Sequence, residues 1–324
     1  MAAVGSYATL AEAALTTQDT LVKGVIAEIV RDGGILDMIP VRTIEGGSLL
    51  YDRENVQPSG SFHAIADTWT ASEDIDVTQV STTLAIHGDQ KWMDDRVARN
   101  YSNINDQWTL VTEQTSAGLR RRIERAIIYE SSAFSGLHSL ATTNQTISQG
   151  SGSTGAALTV TAMNRMLDLV RPQADVVVTP FRLAQRMDQA PQGVNSTPLV
   201  YIDGTKGEVK LGGKTTHWRG VPIKRSDFMA TPDTGALRET IATGTYSAET
   251  GGATGSVFGI RFGQPEEGGM FLGVGNELFE MIGPYESENR NGKWIRFRTY
   301  LAPGLGSTRS LGRVDGCTDV AITA

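Results

Sequence analysis

Cysteine is almost missing from this sequence, because Cys317 is the only one in 324 residues. A single cysteine excludes a disulfide within the chain and every zinc site built from several cysteines. Long apolar runs are missing too. No stretch of about 18 apolar residues is present, and the first residues carry no basic segment followed by an apolar one. We therefore expect an intracellular protein without a membrane segment.

Motifs for catalysis, cofactors and metals are also missing. The four histidines show neither an HExxH pattern nor close ligand spacing. The segment GEVKLGGKTT resembles a phosphate-binding loop, but five residues separate Gly207 from Gly213 where that loop requires four. The run SQGSGSTG lacks the spacing of a nucleophile elbow. The sequence therefore predicts no catalytic residue, no cofactor and no metal.

Positive charge is scarce overall, and acid is concentrated in one region. The net charge is -7 and the isoelectric point is near 5.2, which argues against a general nucleic-acid binder. Residues 41–90 contain eight acidic residues and only two arginines. No lysine occurs between Lys23 and Lys91. Most of the excess acid of the chain thus lies in this one region.

The same region has no helical period and few large apolar side chains. A strand is predicted to return through Val77, Val80, Thr82 and Leu84, after a turn-rich middle. An isolated two-stranded arm is marginal in water. We therefore expect it to lie on another part of this chain or on a neighbouring chain. A helix is predicted before it, over residues 8–31.

The densest run of positive charge, GLRRRIERAIIYE, lies in the longest helical pattern of the sequence. An apolar stripe follows helical spacing through Trp108, Val111, Thr115, Leu119, Ile123, Ala126, Ile127 and Phe134. Arg121 and Arg125 lie away from this stripe, on the expected solvent face. Glu124 follows Arg120 and Arg121 by four and three residues, which predicts exposed charge pairs.

A compact α/β pattern follows a Gly/Ser/Thr-rich stretch. It begins with a capped helix in TVTAMNRMLDLV, a buried strand in ADVVVTP and a second helix in FRLAQRMDQ. Strands and turns follow, and the last strand alternates buried and exposed positions from Trp294 to Leu301. The predicted fold class is α+β.

This order of parts resembles the major capsid proteins of tailed bacteriophages, which have the Hong Kong 97-type fold. The resemblance lies in residues 80–100 and 120–134, and then in ADVVVTPFRLAQRM, WRGVPIKRSDFM and WIRFRTYLAPGL. It implies an N-terminal arm, an extended β-loop, a peripheral domain with a long spine helix, an axial domain and returning strands. In that order these would occupy residues 1–40, 41–90, 91–140, 141–285 and 286–324.

The resemblance also implies a function. The chain would be a structural, non-enzymatic protein that self-assembles through pentamers and hexamers into an icosahedral shell around double-stranded DNA. Its partners would be itself, a separate scaffolding protein, a portal and decoration proteins, with DNA contacted non-specifically. Assembly would take place in the host cytoplasm, and the product would be a virion capsid.

Subunit-interface candidates follow from the uneven charge. Arg121 and Arg125 are expected to meet the acidic loop of a neighbouring subunit, with Glu73, Asp74 and Asp76 as partners. Packaged DNA is the alternative partner for the two arginines. Two other functions stay open: an encapsulin-type compartment that encloses cargo enzymes, and a soluble α+β enzyme without recognisable motifs.

Some capsid proteins of this type join subunits by an isopeptide bond from a lysine in the extended loop. Residues 41–90 contain no lysine, so mature particles should give a single band near 34.8 kDa on a denaturing gel. Covalent ladders that survive boiling with reducing agent would show that another crosslinking chemistry operates.

Overall fold

A computed structural model describes residues 34–56, 62–65, 67, 76–96, 107–150, 155–193, 217–229, 240–241, 244–245, 254–275, 279–288 and 291–323. The helix predicted over residues 8–31 and the glycine-rich segment from Gly207 to Gly213 lie outside these ranges. Within the described ranges the α-helices are α1 (Gln107–Tyr129), α2 (Leu137–Leu140), α3 (Val160–Leu169) and α4 (Phe181–Gly193).

Strands are the most common regular element of the described chain. The first eight are β1 (Val41–Thr43), β2 (Ser48–Val56), β3 (Asp76–Thr83), β4 (Ala85–Asp94), β5 (Thr146–Ser148), β6 (Ala156–Thr159), β7 (Val176–Pro180) and β8 (His217–Trp218). The others are β9 (Val221–Ser226), β10 (Thr240–Ile241), β11 (Gly244–Thr245), β12 (Gly255–Ile260), β13 (Met270–Val274), β14 (Glu280–Glu286), β15 (Gly292–Leu305) and β16 (Leu311–Thr323). With helices and strands mixed in this way, the predicted α+β class is confirmed.

The first sheet is organised around β15. This strand pairs antiparallel with β4, β13 and β14, and β1 adds to β13 in parallel. Ile295, Phe297, Thr299 and Leu301 are buried, while the residues between them are exposed or half-buried. The predicted alternation is therefore confirmed, and its apolar side packs in one core with α1.

The second sheet has seven strands in the order β5-β16-β12-β7-β9-β8, with β6 also paired to β16. All five residues of β7 are buried, as a strand covered on both faces requires. The α3 and α4 helices contribute side chains to the core on one face, and the opposite face shares the core of α1. Thr159 caps α3 by accepting a hydrogen bond from the N–H of Ala162. The predicted helices and the buried strand of this region are confirmed.

The long amphipathic helix is also confirmed, with one difference at its end. Thr115, Leu119, Ile123 and Ile127 of the predicted stripe are buried. The helix ends at Tyr129, so Phe134 lies beyond it, although it still packs on the same core.

The prediction that Glu124 forms exposed charge pairs is wrong. This glutamate was expected on the surface beside Arg120 and Arg121, but it is only 1% exposed. Its carboxylate accepts hydrogen bonds from the backbone N–H groups of Ile35 (2.7 Å) and Leu36 (3.2 Å). Arg120 instead bonds both carboxylate oxygens of Asp37, at 2.7 and 2.6 Å. The charges therefore fasten residues 34–39 to α1 instead of pairing along the helix.

This anchor explains a glycine and a perturbed carboxyl group. A Cβ atom on Gly34 would lie 2.2 Å from Oε1 of Glu124, so only glycine fits against the carboxylate there. Burial raises the pKa of Glu124 above its ordinary value of 4.5, and the hydrogen bonds from Ile35 and Leu36 oppose this rise. Ile35, Leu36 and Ile39 are buried in the core beside it.

The strands of the first sheet come from several of the segments that the sequence suggested. β1 and β4 lie at the ends of the 41–90 segment, yet both pair in the first sheet, so that the free hairpin is only β2 with β3. β13 and β14 lie in the 141–285 segment and also pair in the first sheet. Both edges of the 14-residue β15 are paired: β4 lies along one edge, and β13 and β14 lie along the other. The assignment of arm, loop, peripheral and axial roles stays a prediction.

Glu124→Ala should destabilise the fold by about 2 to 6 kcal/mol, because two buried N–H groups lose their acceptor at about 1 to 3 kcal/mol each. Urea unfolding followed by circular dichroism measures the loss. Glu113→Ala is the matched control, since Glu113 is exposed on the same helix. An equal effect of both substitutions would contradict the anchor.

Glu124→Gln should be milder, because the amide keeps an acceptor oxygen. It should also flatten the pH dependence. A carboxyl whose folded pKa is raised contributes most stability when protonated, and loses it as the pH rises from the unfolded pKa near 4.5 through the folded pKa. Urea midpoints across this pH range test the sign, and a steeper profile in the glutamine variant would contradict it.

Candidate interaction surfaces

The first candidate surface is the β2–β3 hairpin, which forms a sheet of only two strands. One face contacts the body of the protein. The Oη atom of Tyr51 donates to the carbonyl of Leu305 (2.8 Å), and Arg53 donates to the carbonyls of Leu305 (2.6 Å) and Gly306 (3.1 Å). The ring of Tyr51 also meets the ring of Phe271 edge-on, 6.1 Å between centroids. The root of the hairpin is thus fixed to the end of β15.

The other face of the hairpin is open. Leu50 is 57% exposed and Val77 is 50% exposed, although both are large apolar side chains. Asp52 and Glu54 are exposed on the same face. Two further apolar residues between β2 and β3, Phe62 and Ile65, are fully exposed. An apolar, acidic surface of this kind is typical of a site that another molecule covers.

The second candidate surface is the outer face of the first sheet, opposite α1. Its side chains line up in rows across β14, β15 and β4, because the strands pair in register. One row is aromatic and consists of Tyr285, Trp294 and Trp92. Tyr285 is 54% exposed and its ring lies 5.3 Å from that of Trp294. We call this surface the outer sheet face.

Arginines lie between the aromatic side chains of the outer sheet face. Arg296 stacks over Trp294 at 5.1 Å and donates two hydrogen bonds to Gln90. Arg298 forms a two-point ion pair with Glu280, at 2.7 and 2.8 Å. At the far end, Ile86 is 72% exposed. Tryptophan, tyrosine and arginine are the residues that contribute most to protein interfaces.

The third candidate is the solvent side of α1, where the sequence placed Arg121 and Arg125. Arg125 is exposed, whereas Arg121 is half-buried and already has an interaction within the chain. Glu73 and Asp74 lie outside the described residues. Asp76 begins β3, but its side chain is outside the description too. The pairing of these arginines with these carboxylates therefore stays a prediction.

The described residues contain no cluster typical of a metal site. Within the ranges given above, no group of three His, Cys, Asp or Glu side chains could hold a metal ion. The histidines lie apart: His138 stacks on Tyr129 at 4.8 Å, His87 packs near α1, and His63 and His217 lie elsewhere. Burial and the nearby Arg122 lower the pKa of His87. In the same ranges, no helix is long and apolar enough to cross a membrane.

Solved structures of viral and compartment shells match this architecture along almost the whole chain. The capsid of a native GTA particle matches with a TM-score of 0.66 and 10% identity, over 97% of this chain and 99% of that one. A chain from Microbacterium phage Oxtober96 matches with a TM-score of 0.58 and 14% identity, over 98% and 100%. The chain has the Hong Kong 97-type capsid fold.

The Hong Kong 97-type fold is also that of a bacterial compartment. The holo-SrpI encapsulin complex from Synechococcus elongatus PCC 7942 matches with a TM-score of 0.64 and 15% identity, over 96% of this chain and 97% of that one. No protein-family model and no curated protein sequence matches the chain. At such low identities the likeness establishes the fold.

Within this Hong Kong 97-type fold, the sequence reading missed the outer sheet face. The alternation in this strand predicts that the side chains on one of its sides are Trp294, Arg296, Arg298 and Tyr300. It did not reveal that Trp92 and Tyr285 would align beside Trp294. Residues of three strands separated by up to about 200 positions form this surface, and local periodicity carries no signal for such pairing.

Proposed function

We propose that this chain is a shell subunit, the major capsid protein of a tailed bacteriophage, and that it assembles into an icosahedral shell around double-stranded DNA. The proposal rests on one observation: the match to a capsid subunit covers almost the whole length of both chains. The GTA capsid subunit and this chain align over 99% and 97% of their lengths, so the fold is shared as a whole and not as one module.

The open surfaces supply a physical reason for assembly. The hairpin exposes Leu50 and Val77, and the outer sheet face exposes Ile86 and Tyr285. Covering apolar surface contributes a gross free energy of about 25 cal/mol per Å², part of which offsets the freedom that the subunits lose on association. Because these are two different surfaces of one chain, a contact between them in neighbouring copies is head-to-tail, and such contacts form rings when the rotation between copies closes. Pentamers and hexamers are rings of this kind.

Charge supports the same contact. The open face of the hairpin carries Asp52 and Glu54, and Arg296 is exposed on the outer sheet face. Complementary charges of this type guide two surfaces into one register more than they add affinity. We propose that the hairpin of one subunit lies over the outer sheet face of its neighbour.

The remaining assignments follow from this role. Residues 1–40 would form the arm, 41–90 the extended loop, 91–140 the peripheral domain, 141–285 the axial domain, and 286–324 the returning strands. A separate scaffolding protein, a portal and decoration proteins would be partners besides other copies of the chain. The protein would act as a structural component of the virion, without catalytic activity, after assembly in the host cytoplasm.

A second candidate is an encapsulin-type compartment that encloses cargo enzymes. The match to the holo-SrpI encapsulin complex supports it, because its TM-score of 0.64 is close to that of the GTA capsid. The two candidates share the shell and differ in its contents.

Negative-stain micrographs and the contents of purified particles test both. The proposal predicts closed particles of uniform diameter, and nuclease-resistant double-stranded DNA in particles from the natural source. Particles that contain protein cargo and no DNA would favour the compartment. A small oligomer on size-exclusion chromatography, without particles, would contradict both and favour an enzyme.

Charge reversal on α1 tests the predicted interface. Arg125→Glu alone, and then together with Arg121→Glu, should block particle formation by placing like charges against the acidic loop of a neighbour. The helix signal should survive, because the buried side of α1 is untouched. Single exposed pairs contribute only about 0 to 1 kcal/mol, but every subunit of a shell repeats the contact.

Restoring particle formation with compensating substitutions tests which residues pair with the arginines of α1. Reversing Glu73, Asp74 and Asp76 to lysine in the Arg125→Glu chain should restore particles. The matched control is Glu113→Lys in the same chain, which adds positive charge on α1 and should not restore them. Normal assembly of the arginine variants, with less packaged DNA, would instead place these arginines against DNA.

A further inference from the structure

A pocket of about 330 Å³ opens at the C-terminal end of α3, away from the hairpin and the outer sheet face. Arg165 and Arg171 line it, together with the polar side chains of Asn144 and Thr146 and the half-buried apolar side chains of Ile147 and Leu169. Asp168 is the carboxylate of the lining. We call this site the basic pocket.

Three more arginines contact residues that line the basic pocket, one of them through its backbone. The backbone N–H of Arg171 donates to the carbonyl of Arg309 (2.9 Å), and Nη1 of Arg261 approaches the carbonyl of Arg171 at 3.4 Å. Nη1 of Arg219 lies 3.1 Å from Oδ1 of Asp168 and compensates its charge. Four segments of the chain thus bring their arginines to one place: α3 and its end, the β8–β9 turn, the end of β12 and the β15–β16 turn.

The β8–β9 turn is shaped to present Arg219. Arg219 has a φ of 49° and Gly220 a φ of 84°, as two-residue hairpin turns require. Such a φ is uncommon for a residue other than glycine. Nε1 of Trp218 donates to Oδ1 of Asn164 at 3.0 Å and fixes the hairpin to α3. The position of Arg219 over Asp168 is therefore held by the fold.

The positive charge of the basic pocket is not balanced within the described chain. The guanidinium groups of Arg165, Arg171 and Arg309 are exposed and have no hydrogen-bond or ion-pair partner among the residues that the structure describes. This is unusual in a protein with a net charge of -7, whose other arginines mostly bond carboxylates or carbonyls. Concentrated like charges destabilise each other until an anion binds.

The chemistry of the site favours phosphate over a protein surface. Guanidinium groups match phosphate oxygens with two hydrogen bonds each, and amide groups such as that of Asn144 commonly complete phosphate contacts. The centre of a protein interface contains large apolar or aromatic side chains. The two apolar side chains of the lining, Ile147 and Leu169, are half-buried, and the large apolar side chains that are strongly exposed in the described chain lie outside this pocket.

We propose that the basic pocket binds the phosphate backbone of double-stranded DNA. The inference rests on the proposed function only for the source of the phosphates. Phosphate contacts carry no sequence preference, and their strength falls steeply with salt as counterions are released. The pocket would hold DNA against the protein without reading its bases.

Fluorescence anisotropy with a short labelled double-stranded DNA tests the inference on the purified full-length protein. Each lost phosphate contact lowers the slope of log K against log salt by about 0.9. Arg165→Ala with Arg171→Ala should therefore reduce the slope by about 2, and Arg309→Ala alone by about 1. Arg165→Lys with Arg171→Lys keeps both charges and should keep the slope.

The matched control is Arg96→Ala with Lys293→Ala, which removes the same two charges at one end of the first sheet. Equal effects of the pocket and control variants would overturn the proposal, because only the net charge would then matter. A synthetic peptide of residues 70–79 provides a second probe. If the pocket variant lost binding to this acidic peptide but bound DNA like the wild type, the occupant would be protein and the proposal would be wrong.

Micrographs of the same preparations separate this inference from the proposed function. Intact particles with DNA binding unaffected by the pocket variants would overturn the basic pocket alone. Pocket-dependent DNA binding without particles would support the pocket and contradict the shell.

Discussion

The pairing of β15 with three other strands is the constraint on which the rest of the structure depends. This 14-residue strand holds β4, β13 and β14 by hydrogen bonds and packs its buried side chains against α1. A short turn then leads into β16, which lies inside the second sheet. The carbonyls of Leu305 and Gly306 also anchor the hairpin through Tyr51 and Arg53. One strand and its turn therefore set the relation between both sheets, the long helix and the free hairpin.

This arrangement leaves surfaces that a single chain does not cover. With one face of the first sheet on α1, the opposite face carries an aromatic row and arginines in solvent. The hairpin is anchored at the C-terminal end of β15, and its own apolar residues are exposed. Glu124 adds a second anchor, because its carboxylate fixes Ile35 and Leu36 to α1. A rigid body with two open, complementary surfaces is what repeated head-to-tail assembly requires.

Local features of this fold could be predicted from the sequence, and long-range ones could not. The spacing of Leu119, Ile123 and Ile127 predicts α1, and alternation around Phe297 predicts β15. A carboxylate beside arginines on a helix is typical of a surface pair. The burial of Glu124 could not be predicted, because it depends on residues 34–39, which are distant in the sequence. The basic pocket shows the same limit. Its five arginines come from positions 165 to 309, whereas the densest basic run is the solvent side of a helix.

The central claim is that the hairpin of one copy covers the outer sheet face of another. A cryo-electron microscopy reconstruction of assembled particles, at a resolution that traces β2 and β3, tests it most directly. The account predicts that Leu50 and Val77 of each subunit lie on a neighbour's sheet, beside its Tyr285, Trp294 and Ile86. Particles in which every hairpin lies on its own subunit, with the aromatic row open to solvent, would contradict it.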